Sequence, residues 1–242
     1  MSIRIFLFFL LVTITSSWVR SQETSHDYVE VYKDFDSIFG LENTSLFHGV
    51  EYIEEHRMVN EKQKFFKTRY FTKARIEYDG KVFYDVPAKY SIWDDELLVS
   101  VEGKTRTSIF KLLENRLTRF NLFSQEFVNI YSPESSFSGI YELLLENSLI
   151  QVLKKHSVRE KKISENRYIH YEFEPVTPKY FFLYEGEVKE VTRKNILAAF
   201  PEQTSLVREK FRIYRNQPRH LQEQSIVNMF ESIIQTPKNS SL

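Results

Sequence analysis

ARIEYDGKVFYDVPAKYSIWDDELLVSV, residues 74–101, decides the fold. Asp79-Gly80 stands between ARIEY and KVFYDV. A two-residue Asp-Gly loop takes positive φ at both positions, and its twist then matches the strands it joins. Asp94-Asp95-Glu96 makes a second turn, between KYSIW and LLVSV. Pro87 stands between the two halves, where it is expected to end one strand and open the next without loss of a ladder bond. The stretch reads as two β-hairpins laid end to end. Along KVFYDV, alternation places Val82, Tyr84 and Val86 on one face and Lys81, Phe83 and Asp85 on the other. Along KYSIW, Tyr90 and Ile92 alternate with Ser91 and Trp93. Apolar side chains on both sides imply a sheet covered on both faces, or one that curls.

The pattern continues outward in both directions. Upstream, Gly49 followed by Val50, Tyr52 and Ile53 marks a turn and a short first strand. Earlier still, Tyr28, Val31, Tyr32, Phe35, Ile38 and Phe39 recur at helical spacing and end at Gly40. Downstream, residues 105–130 fit either a helix, with Ile109, Leu112, Leu113 and Leu117 near one face, or two strands around Glu114-Asn115. The surrounding strands favour a hairpin. SPESSFS, residues 132–138, is a loop and the best internal break. Residues 140–156 form a hairpin turning at Asn147-Ser148. Residues 168–173 and 180–184 are two more strands, with Pro175 and Pro178 between them, and Glu185-Gly186 turns the second into residues 187–191. Consecutive hairpins of this kind make an antiparallel meander. Thr192 then caps RKNILAAF. Pro201 interrupts that helix, and two more follow over 203–214 and 219–235, before a polar tail.

Gly49-x-Glu51-Tyr52, Tyr78-Asp79-Gly80, Tyr84-Asp85-Val86, Tyr90-Ser91-Ile92 and Asp95-Glu96-Leu97 together resemble a group of exported proteins from Bacteroidetes-type bacteria. The likeness covers roughly residues 46–101 and, more loosely, the hairpin-then-helices arrangement of the C-terminal half, and it departs at Ser91, where an Asp is more usual. Its motif residues belong to turns and strands. It implies a shared fold and export, and it carries over no catalytic residue.

Residues 1–21 read as a secretory signal peptide. Arg4 supplies the positive start, residues 5–14 the apolar core, and Val19-Arg20-Ser21 a cleavage site before Gln22, with Ser17 as a second site. The alternative is an uncleaved anchor. The 242-residue chain has no net formal charge, and cleavage would remove Arg4 and Arg20 but no acid, leaving −2. Such a chain has no global electrostatic claim on nucleic acid or anionic membrane. The sequence contains no cysteine, which excludes disulfides, thiolate metal sites, a cysteine nucleophile and a lipid-bearing cysteine, and fits an envelope protein without disulfides.

Chemistry-bearing patterns are few. His48, Glu51, Glu55 and His56 come nearest to a metal cluster, but their order is not that of a zinc peptidase helix, and a strand would split them between faces. His170 and Glu172 share a face of YIHYEF and could do acid–base work, although such a pair more often belongs to a polar strand face. Lys154, Lys155, Arg159, Lys161 and Lys162 read as an exposed basic loop. Arg208, Arg212, Arg215 and Arg219, at i, i+4, i+7 and i+11, line one side of the second helix and its exit. They are the candidate contact for an anion or a partner, set against a plain solvated face. Phosphate loops, nucleophile elbows and dinucleotide fingerprints are absent.

These readings lead to an α+β fold: an antiparallel β-meander, open or curled into a half-barrel, followed by a C-terminal helical segment. The expected divisions are a signal at 1–21, an N-terminal segment at 22–45, the meander at 46–191, helices at 192–236 and a disordered tail at 237–242. The expected function is a non-enzymatic interaction protein of the periplasm or surface, acting on an envelope partner. The alternatives are a carrier of a lipid or other apolar ligand, or a hydrolase using carboxylates or His170. No cofactor, nucleic acid or integral membrane span is expected.

Overall fold

The computed structural model describes residues 30, 32, 33, 40–103, 105–165 and 168–235. The expected signal peptide, most of the expected early helix and the polar tail lie outside the described residues.

The chain forms an open, antiparallel sheet of eleven strands followed by helices. Strands β1 (Val50–Glu51), β2 (Thr72–Tyr78), β3 (Lys81–Ser91), β4 (Glu96–Glu102) and β5 (Thr107–Lys111) come first. After them come β6 (Leu117–Leu122), β7 (Gln125–Ile130), β8 (Gly139–Glu146) and β9 (Ile150–Lys155). Two strands, β10 (Val158–Glu165) and β11 (Tyr168–Pro175), pair only with each other among the named strands; β12 (Lys179–Tyr184) and β13 (Glu187–Glu190) return to the main sheet. The order across it is β1-β5-β4-β3-β2-β6-β7-β8-β9-β12-β13. The sheet is not closed into a barrel.

The two leading turns form where the sequence places them. Asp79 and Gly80 both take positive φ, at 54° and 73°. Two details differ from strict alternation. First, β3 runs unbroken through Pro87, so the hairpins share one long middle strand. Pro87 faces Lys73 on β2, while the β3–β4 ladder starts only at Ala88, so the missing N–H removes nothing on that side. Second, the pairing skips between Ala74 and Ile76: Phe83 faces Ile76 and Val86 faces Ala74, so two residues oppose Arg75. This bulge, with Asp85 at φ 55°, turns Phe83 and Val86 onto one buried face, contrary to plain alternation.

Residues 105–130 hold strands, as favoured, but not a hairpin around Glu114-Asn115. β5 pairs with β4 and β1, whereas β6 pairs with β2 on the far side of the early strands. The connection crosses the mouth of a curl. Leu112 N donates to Leu97 O at 3.0 Å, and Asp79 N to Arg116 O at 2.8 Å. The hairpin in this region is β6–β7, turning at Phe123-Ser124, both at positive φ.

The curl closes on aromatic rings. Tyr78, Tyr90, Phe120 and Phe127 are each at most 1% exposed. Phe120 stacks on Phe127 at 4.8 Å, and Tyr90 lies 5.5 Å from Phe127. Burying a side chain of this size contributes about 1.5–3 kcal/mol, so the filled curl dominates the N-terminal half.

In the C-terminal half both sheet faces are covered. Helices α1 (Arg193–Ala199), α2 (Thr204–Asn216) and α3 (Arg219–Gln235) lie over Ile150, Val152 and Phe182. Thr192 caps α1 by accepting from Asn195 N at 3.2 Å. Val207 and Phe211 of α2, and Ile226, Met229, Phe230 and Ile233 of α3, face the sheet at helical spacing. Phe137, from the 131–138 loop, packs with Tyr141 and Phe181 on the opposite face. Among the described residues no helix is long and apolar enough to cross a membrane.

Candidate functional site

Three polar clusters interrupt this framework. The first surrounds Lys64, which is 2% exposed at its side chain. Chain segment 64–66 runs beside the end of β3: Ile92 N donates to Lys64 O and Phe66 N to Tyr90 O. That position drives the Lys64 ammonium inward, 2.9 Å from Asp94 Oδ2, 3.0 Å from Glu54 Oε1 and 3.3 Å from His56 Nδ1. Burial opposes its charge, but Tyr52, Asp94 and Glu54 outweigh that and raise its pKa. Burial likewise works against the charge on Glu54 and on Asp94. Tyr52 and Lys64 pull Glu54 below the usual carboxylate range; Lys64 and Ser91 do the same for Asp94. The cleft beside them, about 370 Å³, is lined by Glu51, Glu55, Glu96 and Lys111 as well. Glu54 and Asp94 are held ionised beside Lys64, the reverse of what a general acid needs.

The second cluster lies between the filled curl and the helix-covered half. Glu142 on β8 is buried, with His156 Nε2 at 2.6 Å and Lys154 Nζ at 3.1 Å. Lys154 also reaches Glu223 of α3 at 2.7 Å, tying sheet to helix. Burial disfavours the Glu142 charge, yet His156 and Lys154 hold its pKa down to about 2. His156 packs its ring on Phe66 at 5.0 Å. In this cluster too each carboxylate is paired from within.

The third cluster is different. Arg208, Arg212 and Arg215, singled out from the sequence, line one cleft of about 400 Å³ between α1 and α2, together with Arg193, Phe211 and Asn216. All four arginines are exposed, and among the described residues none makes an ion pair. Glu209 follows Arg208 along the helix without pairing with it. Arg219, the fourth member of the sequence stripe, begins α3 and lines neither this cleft nor its neighbour. Arg193 replaces it, brought in by the packing of α1 on α2, which no spacing along one helix reveals. The neighbouring cleft, about 450 Å³, shares Arg193, Phe211 and Arg215 and adds Thr192, Tyr214 and Gln222.

The remaining candidates disperse. Glu51 pairs with Arg106 at 3.1 Å, Glu55 lines the Lys64 cleft, and His56 joins the lysine cluster rather than His48. No group of three potential metal ligands forms among the described residues. Glu172 is taken up by Lys62 at 2.8 Å and Asn60 at 2.7 Å, which lower its pKa. The supposed basic loop is not a loop: Lys154 and Lys155 end β9 in ion pairs, and Arg159, Lys161 and Lys162 lie on β10. Lys64 was missed because a single Lys before two Phe gives no signal of burial. The chain matches no family model, no curated protein and no solved structure.

Proposed function

We propose that the chain is an exported, non-enzymatic interaction protein of the bacterial envelope that meets its partner at the arginine cleft between α1 and α2. One observation carries the reading: four arginines converge there with no carboxylate partner among the described residues, while the acids of the Lys64 and Glu142 clusters are paired from within. An exposed set of guanidinium groups that no neighbouring carboxylate offsets is available to an anion or an acidic partner. Export is supported by the apolar leader read in residues 1–21 and by the likeness of the hairpin motif to exported Bacteroidetes-type proteins. The apolar-carrier alternative has less support, because Tyr78, Tyr90, Phe120 and Phe127 already fill the curl. A hydrolase has less support too, because Glu54, Asp94 and Glu142 are held ionised by neighbouring cations.

The test has two parts. The full chain, expressed in a Gram-negative host, should fractionate with the envelope; retention in the cytosol overturns the export reading. The purified protein should turn over no phosphoester, glycoside or acyl ester probe. Turnover that disappears in Asp94→Asn or Glu142→Gln replaces the interaction reading with an enzymatic one.

A further inference from the structure

We propose that the paired clefts are a binding site for a phosphate monoester carried on a compact polar body, of the sugar phosphate class; this rests on the reading of the cleft as the contact site. The anion is held by Arg193, Arg208, Arg212 and Arg215, and the body extends toward Thr192, Tyr214 and Gln222.

Four features point to this class. All four cations are arginines, whose planar forks match the oxygens of a phosphate two at a time, as a lysine ammonium does not. They come from two helices that pack together, so their convergence survives without a ligand: Val207 and Phe211 of α2 and Ile196 of α1 are buried in the same apolar cluster. Phe211, almost fully buried, belongs to both clefts and anchors the helix face on which the charges stand. Each cleft has the volume of a small-molecule site.

The second cleft suits a hydroxylated body. Tyr214 packs edge-on against Phe211 at 5.5 Å, giving a ring wall with a phenol hydroxyl that can donate and accept. Thr192 and Gln222 add side-chain hydrogen-bonding groups on the same side. Arg193 and Arg215 line both clefts, so an anion beside them lies within reach of a body in the second. The same chemistry is available from a free sugar phosphate or from a phosphorylated headgroup on a lipid surface.

The test is calorimetric titration of the full chain with glucose 6-phosphate and with inorganic phosphate, and co-sedimentation with phosphatidylcholine vesicles with and without phosphatidylinositol 4-phosphate. Saturable binding of glucose 6-phosphate, tighter than inorganic phosphate, is expected. Arg208→Gln and Arg212→Gln should each weaken it about 10-fold and lower its salt dependence, with unchanged melting. Arg212→Lys should recover only part of the loss. Tyr214→Ala should erase the preference over inorganic phosphate. Arg219→Gln removes the same charge outside the clefts and should leave binding intact. Vesicle binding that needs the phosphorylated lipid, and far exceeds binding of the free sugar phosphate, assigns the ligand to a membrane headgroup; the converse assigns it to a soluble ester. Equal losses in Arg219→Gln and Arg208→Gln overturn the proposal, since they mean diffuse charge. Binding of poly-glutamate but of neither phosphate probe removes the ligand class and leaves the cleft a contact for acidic protein. Binding of none of these probes removes the ligand class and the contact reading with it.

Discussion

Lys155 and Asp95 lie sixty residues apart in sequence and join at 2.6 Å, Nζ to Oδ2, across the curl of the sheet. Asp95 sits in the β3–β4 turn and also accepts from Tyr90 Oη at 2.7 Å and from Ile140 N at 3.2 Å. One carboxylate therefore ties an early turn to β8 and β9, four to six positions away in the sheet order. Gly139 completes the arrangement: at φ 133° it has a conformation that side chains rarely adopt, and a Cβ there would strike both Asp95 Oδ2 and Lys155 Nζ. Gly139→Ala should lower stability by roughly 1–3 kcal/mol. A double-mutant cycle of Asp95→Asn with Lys155→Met should give a coupling of about 1–2 kcal/mol, between an exposed and a buried pair. Urea melts measure both. A coupling near zero would mean that the curl is held by its aromatic interior alone.

Lys64 offers a second measurement. Replacing it with Met leaves Glu54, Asp94 and the Tyr52 hydroxyl around an apolar side chain, with the carboxylates partly open to water. The expected loss is roughly 2–4 kcal/mol at neutral pH, below that of a fully dry pair because of that exposure. The sign with pH follows from the shifts. Lys64 has a raised pKa, so its contribution is complete below the unfolded lysine value of about 10.4 and fades only as pH rises through the folded one. Glu54 and Asp94 are lowered, so theirs fades as pH falls below the unfolded carboxylate values. The difference between wild type and Lys64→Met should thus be widest between these limits and shrink in acid. A constant difference down to acid pH would show that the ion pairs are not its source.

What was legible in the sequence, and what was not, divides along physical lines. Asp79-Gly80 and Glu185-Gly186 were legible because positive φ over two residues has few chemical solutions. The helices were legible from Thr192, Pro201 and the spacing of Val207 and Phe211. Pairing was not: nothing local in residues 112–116 shows that the chain crosses to the far side of β2. The bulge at Tyr84-Asp85 was hidden because alternation is the only period a strand displays, and one extra residue inverts it. β10 reads as loop from sequence because its Arg159, Glu160, Lys161 and Lys162 resemble a solvated run, yet charge is how an exposed strand is kept from pairing further. In the site, three arginines on one helix could be read from spacing, while Arg193 could not, since its neighbours are supplied by packing between helices.

Glu142 sets an acid limit on the fold. Its pKa is held to about 2, against burial, by His156 and Lys154, with Glu223 of α3 facing the same lysine. A lowered carboxylate contributes stability above its unfolded pKa and loses it as pH falls through the folded one, here from about 4.5 to about 2. Glu142→Gln should cost roughly 2–4 kcal/mol at neutral pH and flatten the decline of stability across that window. Urea midpoints measured at about pH 7 and about pH 3 test this. Two parallel pH curves would mean that acid sensitivity arises elsewhere.

The Asp79-Gly80 turn permits a clean separation of strain from crowding. A Cβ added at Gly80 meets nothing within 4 Å, so the first side-chain carbon there is not crowded. Gly80 nevertheless holds φ at 73°, a region that costs an L residue roughly 1–2 kcal/mol and a β-branched one more. Asn tolerates this region through local hydrogen bonding. Gly80→Asn should therefore be nearly neutral, Gly80→Ala should cost roughly 1–2 kcal/mol, and Gly80→Val should cost the most. The order is what matters, since side-chain size alone would make Asn worse than Ala. If Asn proves the more damaging of the two, the left-handed turn is not what fixes the β2–β3 register, and the bulge at Tyr84-Asp85 must set it instead.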